Sequence, residues 1–307
     1  MKNILITEFM NEECVNILKK KFHVNYDKNM FQNEEKIKKE ISNYEGIIVR
    51  NKTQLQKSII DNASKLKFVG RLGVGLDNID KKYCEEKNIH VQTAAGMNAD
   101  SVAEYVVGSS LYLIKNIALF NNDTRKGLWP RSSFNSRELK DKIFGLIGFG
   151  SIGKKVCNLV QNFGAKVISY DPYIDKNLQN KFDVKFTTFD EVIKISDVIS
   201  IHVPLNEKTI NLLNSNVFGK MTKKPILINT SRGSIVNEND LINAYKKKFI
   251  SGFALDVFEK EPVEEKFYKE IVETFNCIIT PHISGVTEES SKKISEFITN
   301  KVINFFN

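Results

Sequence analysis

The chain has 307 residues, of which 41% are hydrophobic and 27% charged, and its formal net charge is +8 at pH 7. This length suffices for two domains that each bury a core, and no apolar run is long enough to span a membrane. The lysines are dispersed along the chain, which argues against nucleic acid binding, and the scattered cysteines predict reduced thiols rather than a metal site. The first residues resemble a strand rather than a signal peptide, so we predict a cytoplasmic protein with no membrane association.

The first 95 residues alternate short β-like runs with polar, helix-like segments. Lysine- and glutamate-rich stretches with helical apolar spacing, such as 12–20 and 34–42, separate the runs. Strand and helix in succession predict right-handed crossovers and a parallel sheet. The candidate strands are 3–7, 23–27, 46–50, 67–71 and 89–93.

A second alternation follows a long helix predicted over residues 100–117, which Asn98 or Asp100 would cap. An amphipathic helix predicted over 288–306 comes after this second sheet is complete, so we expect it to pack on the first domain. The candidate strands of the second sheet are 143–148, 166–170, 197–201, 225–229, 251–255 and 277–280.

The stretch "GLIGFGSIGKKV" (145–156) places three glycines between a predicted strand and a predicted helix. Gly148 permits a tight turn, Gly150 lets the backbone approach a pyrophosphate, and Gly153 lets the helix and strand pack closely. Asp171 follows Gly153 by 18 residues and can bind the adenosine ribose hydroxyls. Because this carboxylate would repel a 2′-phosphate, the pattern predicts NAD rather than NADP.

Three further strand ends carry charged side chains. Arg232 follows the strand 225–229, Asp256 and Glu261 follow 251–255, and His282 follows 277–280. Ligands of open parallel sheets bind beside the carboxyl ends of the strands. The spacing therefore predicts an arginine, an acid and a histidine at one edge, although three unrelated surface charges would give the same spacing.

The sequence resembles the D-isomer-specific 2-hydroxyacid dehydrogenases, and among them most of all the phosphoglycerate dehydrogenases. The resemblance rests on ordered motifs that span nearly the whole chain: "VGRLGVGLDNID", "NADSVAEY", "GLIGFGSIGKKV", "HVPLNEKT", "INTSRGSIVNE", "ALDVFEKEP" and "TPHISG". It implies two doubly wound α/β domains with parallel sheets and a cleft between them. The flavodoxin-like substrate domain would comprise 1–97 and 284–307, and the Rossmann NAD-binding domain 98–283.

The same resemblance implies roles for individual residues. The catalytic Arg–Glu–His triad of the family falls on Arg232, Glu261 and His282. Many relatives carry arginine where this chain has Ser151, so one phosphate contact is expected to be lost. The implied NAD-binding residues are Gly148, Gly150, Ser151, Ile152, Gly153, Asp171, His202, Val203, Pro204, Thr209, Thr230, Asp256 and Gly285. The implied contacts to the substrate are Arg50, Arg71, Val74, Gly75, Asn98 and Arg131.

The expected activity is NAD-dependent oxidation of D-3-phosphoglycerate to 3-phosphohydroxypyruvate, the first step of serine biosynthesis. The alternative within the same chemistry is reduction of small 2-keto acids such as hydroxypyruvate, glyoxylate or pyruvate. An alternative of another class is an NAD-sensing corepressor without catalysis. The resemblance further implies a small anionic substrate, a homodimer through the region 100–117, and a short form without the regulatory domain of longer relatives.

Overall fold

The computed structural model describes residues 1–132, 136–174, 181–272 and 276–307, which form two compact units. The first unit comprises 1–98 and 286–307, and the second comprises 99–285. The predicted divisions lay after residues 97 and 283. Each unit contains a parallel sheet with helices, so the predicted fold class is confirmed.

The first unit has five parallel strands in the order β2-β1-β3-β4-β5, the order of flavodoxin-like folds. The three central strands are buried along nearly their whole length, which fits a sheet that is covered on both faces, whereas the two edge strands are partly exposed. The strands are β1 (Asn3–Ile6), β2 (His23–Tyr26), β3 (Gly46–Val49), β4 (Phe68–Arg71) and β5 (His90–Thr93). The helices that follow β1 to β4 are α1 (Glu12–Lys19), α2 (Glu34–Glu40), α3 (Lys57–Ile60) and α4 (Lys81–Glu86).

The last helix of the chain belongs to this first unit. It is α12 (Glu288–Phe306), and its N-terminus is closed by a capping box at Thr287. Its fully buried Ile298 and Val302 join the core cluster that contains Phe68. Gly70 makes room for it, since a Cβ at that glycine would lie 2.8 Å from Cγ2 of Ile298. The expected packing of this helix on the first domain is confirmed.

The second unit has seven parallel strands in the order β12-β11-β10-β9-β6-β7-β8. The order reverses between β6 and β9, which is the switch point where doubly wound sheets bind ligands. The strands are β6 (Ile143–Ile147), β7 (Lys166–Tyr170), β8 (Val184–Phe186), β9 (Val198–Ile201), β10 (Ile226–Asn229), β11 (Gly252–Leu255) and β12 (Cys277–Ile279). The helices are α5 (Ala99–Ile114), α6 (Ile117–Arg125), α7 (Ser151–Asn162), α8 (Phe189–Ile195), α9 (Ser215–Phe218), α10 (Glu238–Lys246) and α11 (Glu265–Val272).

One sequence prediction for this unit is wrong, and one short strand was not predicted. The helix expected over 100–117 is divided into α5 and α6 because Asn116 takes a left-handed backbone conformation, with φ of 52°. Asparagine tolerates that region better than most residues, so it can end one helix and precede the next. The strand β8 was missed because its three residues are too few to establish an alternating pattern.

Candidate active site

The glycine turn follows β6 at the carboxyl edge of the second sheet. Gly148 has φ of 98°, and a Cβ there would lie 2.6 Å from the carbonyl oxygen of His202. A Cβ at Gly153 would lie 2.5 Å from the carbonyl oxygen of Gly148. At Gly150, by contrast, a Cβ would meet nothing within 4 Å. The first two glycines therefore serve backbone packing, and Gly150 leaves open space for a ligand.

The helix α7 begins beside that open space. Its N-cap is Gly150, and no side chain of the described residues caps its first turn. Ile152, in that turn, packs against the core. Uncapped N–H groups and the helix dipole favour an anion such as a pyrophosphate. The first turn of α7, which begins at Ser151, can therefore bind a phosphate through its backbone N–H groups alone.

Asp171 follows β7 and is tied to the glycine turn. Its Oδ2 accepts a hydrogen bond of 2.8 Å from the Phe149 N–H, and its Oδ1 accepts one of 2.9 Å from the Tyr173 N–H. Each carboxylate oxygen can accept a further hydrogen bond. The side chain is thus held in place with acceptor capacity left for ribose hydroxyls.

The segments that follow β9 and β10 carry buried polar atoms without partners in the described part of the chain. Both ring nitrogens of His202 and the hydroxyl of Thr230 are buried without a hydrogen-bond partner among the described residues. Burial lowers the pKa of His202 to about 3, so its ring is neutral at pH 7. Such unsatisfied groups fit a site that is completed by a ligand. Thr209 instead stabilises its own loop, since its hydroxyl donates to the Pro204 carbonyl at 2.6 Å. Val203 is half-buried and lies beside Gly148.

The central pair of the site is His282 and Glu261, which follow β12 and β11. Nδ1 of His282 lies 2.8 Å from Oε2 of Glu261. The other oxygen of that carboxylate accepts a hydrogen bond from the Phe258 N–H at 3.2 Å. An ionised carboxylate only accepts, so Nδ1 carries the proton that is shared with it. Nε2 is then the ring atom that can face a substrate.

Arg232 follows β10, the strand next to β11. Its Nη1 donates to the Ser231 carbonyl at 2.7 Å, and its own carbonyl accepts from Nδ2 of Asn229 at 2.9 Å. The segment of Arg232 lies against the loop of Glu261, because a Cβ at Gly233 would be only 1.8 Å from the Phe258 carbonyl carbon. The arginine, the glutamate and the histidine thus follow three adjacent strands.

Asp256, expected to contact the nicotinamide, is fully buried. Its Oδ1 accepts hydrogen bonds from the Thr280 hydroxyl at 2.6 Å and the Ile283 N–H at 2.8 Å, and its Oδ2 accepts one from the Ser284 N–H at 2.8 Å. This carboxylate therefore holds the turn after His282, and only one acceptor position on Oδ2 remains for a ligand.

The expected substrate contacts fall mainly on the first unit. Arg50 follows β3 and Arg71 ends β4, both at the carboxyl edge of the first sheet. Nη1 of Arg71 folds back and donates to the Leu72 carbonyl at 3.1 Å. Val74 is exposed in the loop after β4 and is followed by the half-buried Gly75.

The remaining predicted residues are near the division between the units or in exposed loops. Asn98 ends the first stretch of the first unit, and its buried Oδ1 has no partner within the described part of the chain. Gly285 is the last residue of the second unit, and Arg131 is an exposed residue after α6.

The structure adds residues that the sequence did not indicate. Glu8 is buried and accepts hydrogen bonds from the backbone N–H groups of Arg50, Lys52 and Thr53, at 2.8, 3.0 and 2.9 Å. The hydroxyl oxygens of Tyr105 and Thr280 lie 2.7 Å apart, at hydrogen-bond distance. Thr280 begins the motif "TPHISG" and Tyr105 ends the motif "NADSVAEY", which are both signals in the sequence, whereas no motif or spacing pointed to Glu8.

Comparison with known proteins identifies the family. Residues 107–284 match the model for the NAD binding domain of the D-isomer specific 2-hydroxyacid dehydrogenases. The chain belongs to this family. The matched domain is described as NAD-binding, and the glycine turn and Asp171 fit that ligand, so NAD is the cofactor of the second unit.

Relatives with different names are similarly related to the chain. D-3-phosphoglycerate dehydrogenase of Archaeoglobus fulgidus is 33% identical over 98% of this chain and 56% of its own length. (S)-sulfolactate dehydrogenase of Chromohalobacter salexigens is 34% identical, covering 98% and 97%, and hydroxypyruvate reductase of Thermotoga maritima is 32% identical, covering 97% and 96%. The chain thus spans about half the length of the phosphoglycerate dehydrogenase.

A solved structure shares the fold of the whole chain. D-lactate dehydrogenase from Aquifex aeolicus, complexed with NAD and lactic acid, has a TM-score of 0.84 at 30% identity and covers 99% of this chain and 95% of its own. Among the described residues of the present protein, no helix combines the length and apolar character needed to cross a bilayer.

Proposed function

We propose that the protein oxidises D-3-phosphoglycerate to 3-phosphohydroxypyruvate with NAD, a reaction of serine biosynthesis. The observation that carries the dehydrogenase chemistry is the 2.8 Å contact between Nδ1 of His282 and Glu261 at a strand end. A histidine whose second nitrogen is anchored by a carboxylate is suited to general acid–base work. The phosphoglycerate relatives, which match 97–98% of this chain, support the choice of substrate.

The reaction separates a hydride from a proton. NAD, held by the glycine turn and Asp171, would supply the acceptor for the hydride that leaves C2 of the hydroxy acid, together with its two electrons. Nε2 of His282 takes the proton of the C2 hydroxyl, and the C2–O bond becomes a carbonyl. The carboxylate of Glu261 stabilises the imidazolium that forms and keeps the ring oriented. In the reverse direction His282 returns this proton to the carbonyl oxygen.

The substrate's carboxylate needs its own contacts. We assign one side of it to Arg232, since a guanidinium suits planar oxygen pairs. We assign the other side to the backbone N–H groups of Val74 and Gly75, neither of which donates to another described backbone carbonyl. Arg50 and Arg71 are the proposed cations for the phosphate, and Arg131 is a further proposed phosphate contact.

A second candidate is a reductase of small 2-keto acids such as hydroxypyruvate, glyoxylate or pyruvate. The position of Arg71 favours it, because one of its amino groups is already bound to the Leu72 carbonyl. The hydroxypyruvate reductase relative, which matches along nearly its whole length, favours it as well. A sulfonated 2-keto acid belongs in the same comparison because of the sulfolactate relative.

The deciding experiment measures NADH oxidation with 3-phosphohydroxypyruvate, sulfopyruvate, hydroxypyruvate, glyoxylate and pyruvate. We expect kcat/KM to be highest for 3-phosphohydroxypyruvate. Arg50→Ala and Arg71→Ala should each cost about 1.5–3 kcal/mol on that substrate, as for a hydrogen bond to a charged group, and spare hydroxypyruvate. Equal losses on both substrates would make the second candidate the better one. No turnover of any 2-keto acid would refute the dehydrogenase and favour the corepressor.

We also propose a homodimer through the region of α5 and α6. The apolar face of α5 is largely covered within its own unit, where Val102, Val106 and Leu113 are buried. Large exposed apolar side chains occur just beyond it at Ile117 and Trp129, the latter 79% exposed. Light scattering at micromolar concentration should give twice 35.1 kDa. A mass equal to one chain would refute the dimer.

A further inference from the structure

The turn that carries His282 has an unfavourable backbone conformation. His282 has φ of 58°, in the left-handed region that residues other than glycine rarely enter. Its N–H donates to the Thr280 carbonyl at 3.0 Å, which closes a tight turn. Such a conformation persists where the surroundings determine it from several sides. The contacts that hold this turn therefore decide where the imidazole points.

Asp256 supplies the main contacts. Its carboxylate accepts hydrogen bonds from the N–H groups of Ile283 and Ser284, the two residues that follow His282. Glu261 holds the ring of His282, whereas Asp256 holds the backbone that follows it. The orientation of the histidine thus depends on two carboxylates with separate tasks.

Asp256 is itself oriented by two hydroxyl groups in series. The Thr280 hydroxyl lies 2.6 Å from Oδ1 of Asp256, and the Tyr105 hydroxyl lies 2.7 Å from that of Thr280. Because an ionised carboxylate only accepts, Thr280 donates to Asp256 and accepts from Tyr105. Burial raises the pKa of the Tyr105 phenol, which keeps its proton available for donation. Hydrogen bonds arranged in series strengthen one another in a buried site.

We propose that Tyr105 and Thr280 are positioning residues for His282. Their hydroxyls fix the carboxylate of Asp256, which fixes the left-handed turn and so directs Nε2 of His282 to the C2 oxygen of the substrate. The inference rests on the proposed dehydrogenase function, but it concerns the turn and holds for any 2-keto acid substrate. Tyr105 lies on α5, so this helix takes part in the site as well as in the core.

Four variants test the proposal with hydroxypyruvate or 3-phosphohydroxypyruvate as substrate. Tyr105→Phe removes one hydroxyl and keeps the ring, and Thr280→Val removes the central hydroxyl at nearly constant volume. Thr280→Ser restores that hydroxyl. Tyr112→Phe is the matched control, since Tyr112 is a half-buried tyrosine of the same helix that lies outside the series.

We expect kcat to fall about fivefold in Tyr105→Phe and about 10- to 30-fold in Thr280→Val, with KM and the NADH dissociation constant changed less than about twofold. Thr280→Ser and Tyr112→Phe should stay within about twofold of the unaltered protein. Tyr105→Phe should add nothing to Thr280→Val, because both act through one series. Deuterated NADH should show a larger isotope effect on kcat in the impaired variants. Equal kcat in Tyr105→Phe and Tyr112→Phe, or losses confined to KM, would overturn the proposal.

A second measurement needs no turnover. Hydrogen exchange at the amides of Ile283 and Ser284 should be faster in Thr280→Val than in Thr280→Ser, since these amides are bound by Asp256. Unchanged exchange would overturn the positioning role even if the enzyme reaction is as proposed. If exchange changes but no 2-keto acid is reduced by the unaltered protein, the proposed function fails and the role in the turn stands.

Discussion

Each unit contains a buried carboxylate at the end of a parallel strand. Glu8 follows β1 and Asp256 follows β11, and both have almost no exposed surface. Each accepts three hydrogen bonds from residues of another loop, Glu8 from 50–53 and Asp256 from 280–284. Several N–H or O–H donors offset the cost of removing a carboxylate from water.

The two carboxylates differ in what they hold. Among the described residues Glu8 accepts hydrogen bonds from backbone groups alone, and the loop that it holds carries Arg50, a side chain suited to binding an anion. Asp256 also receives a side-chain hydroxyl, and its turn presents His282 in a left-handed conformation. The same structural device, a buried carboxylate that holds another loop, thus supports the residue proposed for substrate binding in the first unit and the residue proposed for proton transfer in the second.

His282→Ala should give the largest effect and separate the proposed proton transfer from the proposed substrate binding. His282→Ala should lower kcat about 10²–10⁴-fold, the usual contribution of general acid–base catalysis, with little change in stability. Glu261→Gln should be milder, because the imidazolium loses its anionic partner while a side chain of the same shape stays beside the ring. Steady-state kinetics across pH check both, with the exposed His23→Ala as control. A His282→Ala variant with nearly full kcat would contradict the assignment of the acid–base group.

The cofactor edge of the second unit should discriminate strongly between NADH and NADPH. A 2′-phosphate next to Asp171 places like charges together, which costs several kcal/mol, so kcat/KM for NADH should exceed that for NADPH about 10²-fold or more. Asp171→Ala should reduce this ratio, whereas the control variant Asp190→Ala, at an exposed residue, should leave it unchanged. Equal kcat/KM for both cofactors in the unaltered protein would refute this role of Asp171.

Changes at the two buried carboxylates should test the comparison directly. Asp256→Asn and Glu8→Gln each place an amide NH₂ group against backbone N–H donors, so each should lower the free energy of unfolding by about 1.5–3 kcal/mol. Urea unfolding measures this loss, with the exposed Glu104→Gln as control. Only Asp256→Asn should also reduce kcat, while Glu8→Gln should chiefly raise KM. Similar kinetic effects of both would show that the two carboxylates do not have separate tasks.

The smallest effect concerns the pH dependence of stability at His202. The pKa of its buried ring is about 3 in the folded state, and an unfolded histidine titrates near about 6.5. Below that pH the unfolded chain binds a proton that the folded protein does not, so stability is complete above pH 6.5 and falls as the pH decreases. The loss due to this residue between pH 7 and 5 should be about 2 kcal/mol, and His202→Gln should abolish that part. Urea unfolding at pH 7 and pH 5 measures this loss. An equal loss in the unaltered protein and in His202→Gln would contradict the prediction.

Much of the second unit could be predicted because its signals are local. The spacing of Gly148, Gly150 and Gly153 between a strand and a helix reports a turn whose backbone has no room for side chains at two of its positions. The break at Asn116 could not be predicted, because a left-handed residue inside an apolar helical pattern leaves the pattern unchanged. The three-residue strand β8 gave no period to detect.

The sequence by itself determined the two parallel sheets and the charged residues that follow β10, β11 and β12. These features depend on local patterns and on the rule that parallel strands end at one edge. Only the tertiary structure decided which groups meet there. Tyr105 and Thr280 are 175 positions apart, and Glu8 reaches a loop more than 40 positions away. Hydrogen bonds between such distant groups form only when folding brings helix α5 and the loops that follow the strands into place within each unit, and no periodicity in the chain indicates them.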